Sequence, residues 1–245
     1  GSALAYYAMP IEGGAMELRV VDLATRATAV LAASSQGMGP TPASWSADGS
    51  RLAFLALDAK RRSQVWVVQK DGRGLREVST RHTPRGGEWP EISPDGRKVL
   101  WIADMRGRNP IVVTDLESGQ SRELTPEADA QYESARWSPD GRRIVFASSR
   151  GSGEPPHNDI YVMHADGSGA RNLSRHPAED FNPRWSADGR SVVFASLRSG
   201  TSLLYEVSLD DGATRPVSMH LSHDLDHVTQ PVSAAKRSLS AVPPT

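Results

Sequence analysis

The chain has 245 residues, 38% of them hydrophobic and 6% aromatic, with 21 glycines and 17 prolines, a balance that suits many short strands joined by turns better than long helices. Its formal net charge of −1 argues against a nucleic-acid partner or an anionic membrane held by a broad basic field. With no cysteine, disulfides, thiolate metal sites and a cysteine nucleophile are excluded, and no apolar run is long enough to span a bilayer.

Read from the N-terminus, "ALAYYAM" (3–9), "ELRVVDL" (17–23) and "TAVLA" (28–32) are three strands in succession. A repeat then begins. "SADG" at 46–49, "SPDG" at 93–96, "SPDG" at 138–141 and "SADG" at 186–189 place Asp48, Asp95, Asp140 and Asp188 at spacings of 47, 45 and 48 residues. A degenerate copy, "SAAKRSL", starts at Ser233. Before each serine stands Trp45, Ile92, Trp137, Trp185 or, in the weak copy, Val232; six residues after each aspartate stands Phe54, Trp101, Phe146 or Phe194. A β-prone run follows (from Val65, Ile111, Ile160 and Leu204), then a turn glycine (Gly72, Gly119, Gly167, Gly212), then a short strand, "REVS", "RELT", "RNLS" or "RPVS".

This grammar describes hairpins. Pro or Ala suits the first central position of a type I turn, Asp tolerates the next, and Gly supplies the left-handed conformation that closes it. Each unit reads as four antiparallel strands, a to d, and four strands per ~45 residues is the signature of a β-propeller blade. The fold class is all-β: a single propeller domain over 1–245, with blades at about 3–35, 40–82, 87–128, 132–176 and 180–222. Residues 229–242 read as a strand a that completes the first blade, which would remove two exposed sheet edges. Five blades is the expectation; six, or a fragment of a larger propeller, are the alternatives.

At these residues, most clearly "RWSPDGRRIVFASSR" (136–150) and "NDIYVMHADGSGARNLSRHPAEDFNPRWSADG" (158–189), the sequence resembles the TolB-type propeller family. That resemblance implies a bacterial protein outside the cytoplasm, in the periplasm or secreted, with a protein or peptide partner. Oligogalacturonate lyases and the propellers that gate prolyl-oligopeptidase-type hydrolases share the repeat. No G-x-S-x-G elbow or Gly-rich phosphate loop appears, and no residue is assigned a catalytic role.

Tight a–b and c–d turns on one face leave the irregular d–a and b–c connections on the other, where loops carry function. Glu88, Glu133, Asp180 and His227 lie just upstream of strand a and form the expected binding set at the channel mouth. Such groups can bind a cation, an amine-bearing peptide or a sugar; the competing reading is that they fasten blades through hydrogen bonds. The longest b–c connection, "SSRGSGEPPHND" (148–159), offers Glu154, Pro155 and His157 to a partner. "SHDLDH" (222–227) is dense in metal-ligand types, but His223 and His227 would share a face only on a helix, so no metal site is assigned and no cofactor is expected beyond an optional divalent cation. His227 and Gln230 are similar in type to the metal-site histidines and glutamine of oligogalacturonate lyases, yet their flanking residues differ. The tryptophans at the repeat position read as packing between blades. The expectation is a monomeric, non-enzymatic scaffold; the alternatives are a metal-dependent lyase or hydrolase of a sugar polymer and a gating propeller.

Overall fold

The computed structural model describes residues 2–9, 14–38, 43–79, 87–105, 107–125, 130–153 and 155–217. Among these every regular element is a strand. β1 (Ala3–Ala8), β2 (Met16–Asp22) and β3 (Thr28–Ser34) form a three-stranded sheet. Four four-stranded antiparallel meanders follow. They are β4 (Ser44–Trp45) to β7 (Arg76–Glu77) through β5 (Arg51–Leu57) and β6 (Ser63–Gln69); β8 (Gly87–Ile92), β9 (Lys98–Ala103), β10 (Ile111–Asp115) and β11 (Ser121–Glu123); β12 (Tyr132–Trp137), β13 (Arg143–Ser148), β14 (Asp159–His164) and β15 (Arg171–Asn172); and β16 (Asp180–Trp185), β17 (Ser191–Ser196), β18 (Leu203–Ser208) and β19 (Thr214–Pro216). The expected closing strand 229–242, with His227 and Gln230, and the loop residue Glu154 lie outside the described residues.

The a–b hairpins are built as their sequence requires. Gly49, Gly96, Gly141 and Gly189 adopt φ of 68°, 71°, 68° and 68°, a region open to glycine at no steric cost. The serine does more than open the turn. Ser138 Oγ donates to Asp140 Oδ1 (2.5 Å) and accepts the Arg143 N–H (2.9 Å), while the Ser138 N–H donates to the Arg143 carbonyl (2.8 Å). The same hydroxyl links recur at Ser46, Ser93 and Ser186. One hydroxyl thus ties both ends of the turn and pins the register of the strands it joins.

That register sets the core. Phe54, Trp101, Phe146 and Phe194 are at most 1% exposed and pack on the preceding sheet: Phe54 on Leu18 and Val20, Phe194 on Val145 and Val162. The following sheet covers the other face. At one repeat position Val65, Ile111 and Ile160 are 0% exposed, but Leu204, which no later described strand covers, is 47% exposed. A blade cannot bury both of its faces alone, which is why the unit repeats. Trp137 and Trp185 take the packing role expected of them: Trp137 is buried with Leu100 and Ile102 of the preceding sheet, and Trp185 Nε1–H donates to the Arg136 carbonyl (3.2 Å).

Polar clasps join neighbours on both faces. On the turn face, Arg51 Nη1 donates to the Gly96 carbonyl (2.9 Å) and Arg143 Nη2 to the Gly189 carbonyl (2.8 Å), with the Arg143 guanidinium over the Trp185 ring. On the loop face, Asn109 Nδ2 donates to the Tyr132 carbonyl (2.7 Å) and Asn109 Oδ1 accepts the Tyr132 N–H (3.0 Å). Ser138→Ala should lower stability by roughly 1–3 kcal/mol, because the partly buried Arg143 N–H loses its acceptor. Ser186→Ala, at a partly exposed turn, should cost less. Urea denaturation midpoints of the two variants check the order.

Candidate functional site

β4, β8, β12 and β16 are edge strands that meet one another from sheet to sheet, and so are the innermost strands. Three of them carry the same irregularity. Trp89–Pro90, Ser134–Ala135 and Asn182–Pro183 each set two residues against one, the signature aromatic Trp101, Phe146 or Phe194. The first residue of each pair is left-handed, with φ of 52° at Trp89, 52° at Ser134 and 53° at Asn182. Left-handed backbone at a non-glycine residue costs about 1–3 kcal/mol and clusters where function needs a fixed geometry. Ser134 Oγ donates to Asn182 Oδ1 (3.2 Å), linking two of these bulges.

The bulge changes which side chains share a face. Glu88 and Glu91 are three apart, yet they stand opposite Ile102 and Leu100, which are two apart, so they point to the same side. Glu133 and Arg136, and Phe181 and Arg184, are placed alike. Two levels result. At the mouth, Glu88 and Glu133 are exposed, and the Glu133 carboxyl is pushed up by partial burial and by repulsion from Glu179 and Glu88. Deeper along the same strands stand Glu91, Arg136 and Arg184.

At the inner level, Glu91 Oε2 accepts the Trp137 N–H (3.1 Å) and lies 4.0 Å from Arg136 Nη1. The Arg136 guanidinium sits 5.6 Å from the centroid of the Trp89 ring, within cation–π reach. Arg184 Nη1 donates to the Pro183 carbonyl (3.0 Å). Burial pushes the Glu91 carboxyl up to about 7 against the pull of Arg136 and Arg184, and burial together with Arg184 lowers Arg136.

The structure brings Glu88 close enough to Glu133 to act on its carboxyl. Asp180 does not join them. It is fully buried, and Arg198 Nη2 donates to both its oxygens (3.2 and 3.0 Å), so it fastens its own blade instead of facing a ligand. The mouth carboxylate from this segment is its neighbour Glu179, whose oxygens accept the Asn158 N–H (3.0 Å) and Nδ2–H (2.8 Å). On the long loop, Pro155 is exposed. His157 is partly buried, its Nε2 4.0 Å from Asp159 Oδ2. His227 and Glu154 lie outside the described residues. Glu91, Arg136 and Arg184 were not singled out from sequence; the signal was their shared place two residues before the turn serine, where Ser44 stands in the second sheet. Among the described residues no three His, Asp or Glu side chains are grouped to hold a metal ion.

Successive antiparallel four-stranded meanders packed face to face, with their first strands innermost, define a β-propeller. The TolB beta propeller domain family matches residues 88–239, more than half of the chain. The chain belongs to that family. It is 36% identical over 123 residues to the Tol-Pal system protein TolB of Anaeromyxobacter dehalogenans, covering 46% of this chain and 27% of that one. It is 30% identical over 132 residues to Tricorn protease homolog 1 of Streptomyces coelicolor, covering 54% of this chain and 12% of that one. The match thus spans well under a third of either relative. Among solved structures, TolB from Acinetobacter baumannii superposes with a TM-score of 0.67 at 21% identity, covering 89% of this chain and 53% of that one. An oligogalacturonate lyase in complex with manganese gives 0.68 at 16% identity, covering 89% and 62%. At these identities the likeness is one of fold.

Two outcomes test the site's electrostatics. Glu91 holds its proton more tightly when folded, at about 7 against 4.5. Its contribution to stability is therefore complete below 4.5 and lost as pH rises through about 7. Glu91→Gln should flatten that fall, and urea midpoints between about pH 5 and pH 8 measure it. Arg198→Ala, which leaves Asp180 buried without its cation, should destabilise by roughly 3 kcal/mol or more in the same assay.

Proposed function

We propose that the chain is a non-enzymatic binding scaffold whose loop-rich face receives a protein or peptide partner. The observation that carries this reading is the mouth itself: Glu88, Glu133 and Glu179, from three successive blades, are close enough to raise the Glu133 carboxyl by repulsion. Like charges gathered this way cost stability and favour a cationic ligand group. The inner strands that present them are held by bulges and by the Ser134–Asn182 hydrogen bond, so little order is lost on binding. The loop around Pro155 and His157 lies on the same face, anchored to the next blade where the Asn158 carbonyl accepts the Asp180 N–H (2.9 Å). Relationship to a Tol-Pal system protein supports a protein partner. The same relationship supports a location outside the bacterial cytoplasm; the scaffold is proposed as a monomer, and its net charge of −1 disfavours nucleic acid.

The test is selection from a displayed peptide library followed by measurement of each selected peptide. Binding should weaken at least about tenfold in Glu88→Lys/Glu133→Lys, a difference of ~1.4 kcal/mol, and stay unchanged in Glu117→Lys on the opposite, turn-bearing face. Peptides indifferent to both changes would count against the mouth. Manganese-dependent cleavage of a sugar polymer, abolished in His227→Ala, would overturn the scaffold in favour of a lyase.

A further inference from the structure

We propose that Arg136 and Arg184, on the inner level, take the carboxylate of a bound peptide, and that the rim of Glu88, Glu133 and Glu179 selects peptides with a cationic side chain a few residues from that carboxylate. This rests on the scaffold reading above and names the ligand group it implies.

The first argument is the imbalance of charge. Two guanidiniums and one carboxylate occupy the equivalent position on three adjacent inner strands. Among the described residues Arg136 has a single carboxylate at the 4.0 Å limit of an ion pair, and Arg184 has none that close: it bonds the Pro183 carbonyl beside it and feels Glu91 only at longer range. Each guanidinium carries five N–H donors in a planar fork that matches a carboxylate. Arg136 is only 16% exposed, and a desolvated cation short of partners favours any site that brings it an anion. Glu91 is a poor substitute. One of its oxygens is committed to the Trp137 N–H, and burial holds part of its population neutral near pH 7.

The second argument is the order of the two levels. Glu133 and Arg136 stand opposite Ala147 and Val145, two residues apart on the partner strand, so roughly 7 Å separates their levels. A purely anionic ligand would be repelled by the rim before reaching the arginines. A peptide whose carboxylate leads, with a lysine or arginine two or three residues behind, meets the complementary charge at both levels. The Trp89 ring lies within cation–π reach of the Arg136 guanidinium, and the left-handed bulges fix both levels relative to each other.

The carboxylate could come from a chain end or from an Asp or Glu side chain, and the probes separate the two. Three acetylated pentapeptides are titrated calorimetrically into the full chain: Gly-Gly-Lys-Ala-Ala as the free acid, the same sequence as its C-terminal amide, and the amide with Asp in the last place. The free acid, the Asp peptide or both should bind at least about tenfold more tightly than the neutral amide. Free acid alone identifies a chain end, and Asp alone a side chain. Arg184→Ala, at an exposed position that tolerates truncation, should erase the difference. Glu91→Gln should enlarge it, because the internal competitor for the arginines is gone; a purely structural role for Glu91 would give no such gain. Replacing the lysine with alanine should weaken binding, and Glu133→Gln should remove that dependence. Equal binding of acid and amide, or a difference that survives Arg184→Ala, overturns the proposal. If no pentapeptide binds while the library peptides still do, the carboxylate site falls and the scaffold stands. If the library peptides fail as well, both fall.

Discussion

The buried serine hydroxyl of the a–b turn is the contact on which the rest of the molecule depends. At Ser138 it is simultaneously donor to Asp140 and acceptor from Arg143, so neither strand can slide without breaking both. With the register pinned, Phe146 falls opposite the bulge at Ser134–Ala135, and the equivalent aromatics fall opposite the others. The turn on one face thereby decides what the inner strand presents near the other. Its effect reaches the site through geometry, with no side chain of its own there.

The fold was legible because its signals are local and repeated. Glycine at the closing position of each turn, a fixed spacing to the next, and an aromatic six residues after the aspartate require no knowledge of long-range contacts. The site was legible only in part. Glu88 and Glu133 were found because they stand alone at the start of their strands. Asp180 was chosen over Glu179 because both are acidic and adjacent, and only the pleat separates them: one turns inward to Arg198, the other toward Asn158. Glu91, Arg136 and Arg184 stayed hidden for a different reason. Simple alternation puts residues three apart on opposite faces, and the bulge that reverses this is marked only by Pro90 and Pro183 and not at all at Ser134–Ala135, its left-handed residue being tryptophan, serine or asparagine rather than glycine.

The mouth and the inner level illustrate how a propeller varies function at constant scaffold. The positions that pack between sheets take Val, Ile, Leu, Phe or Trp from blade to blade. The position two before the turn serine takes Ser44, Glu91, Arg136 and Arg184, four different answers to the same geometry. Packing constrains the first set uniformly, whereas the second is free to become asymmetric, and asymmetry around an axis is what distinguishes one ligand from another.

Several side-chain clasps run forward along the chain, although Trp185 Nε1–H reaches back to the Arg136 carbonyl and Glu179 to the Asn158 N–H. Arg51 reaches forward to Gly96, Arg143 to Gly189, and Asn109 to Tyr132. Each is a group of an earlier blade bonding the backbone of the next. A chain synthesised from its N-terminus therefore meets the turns at Gly96 and Gly189 and the strand at Tyr132 with donors of the preceding blade already made.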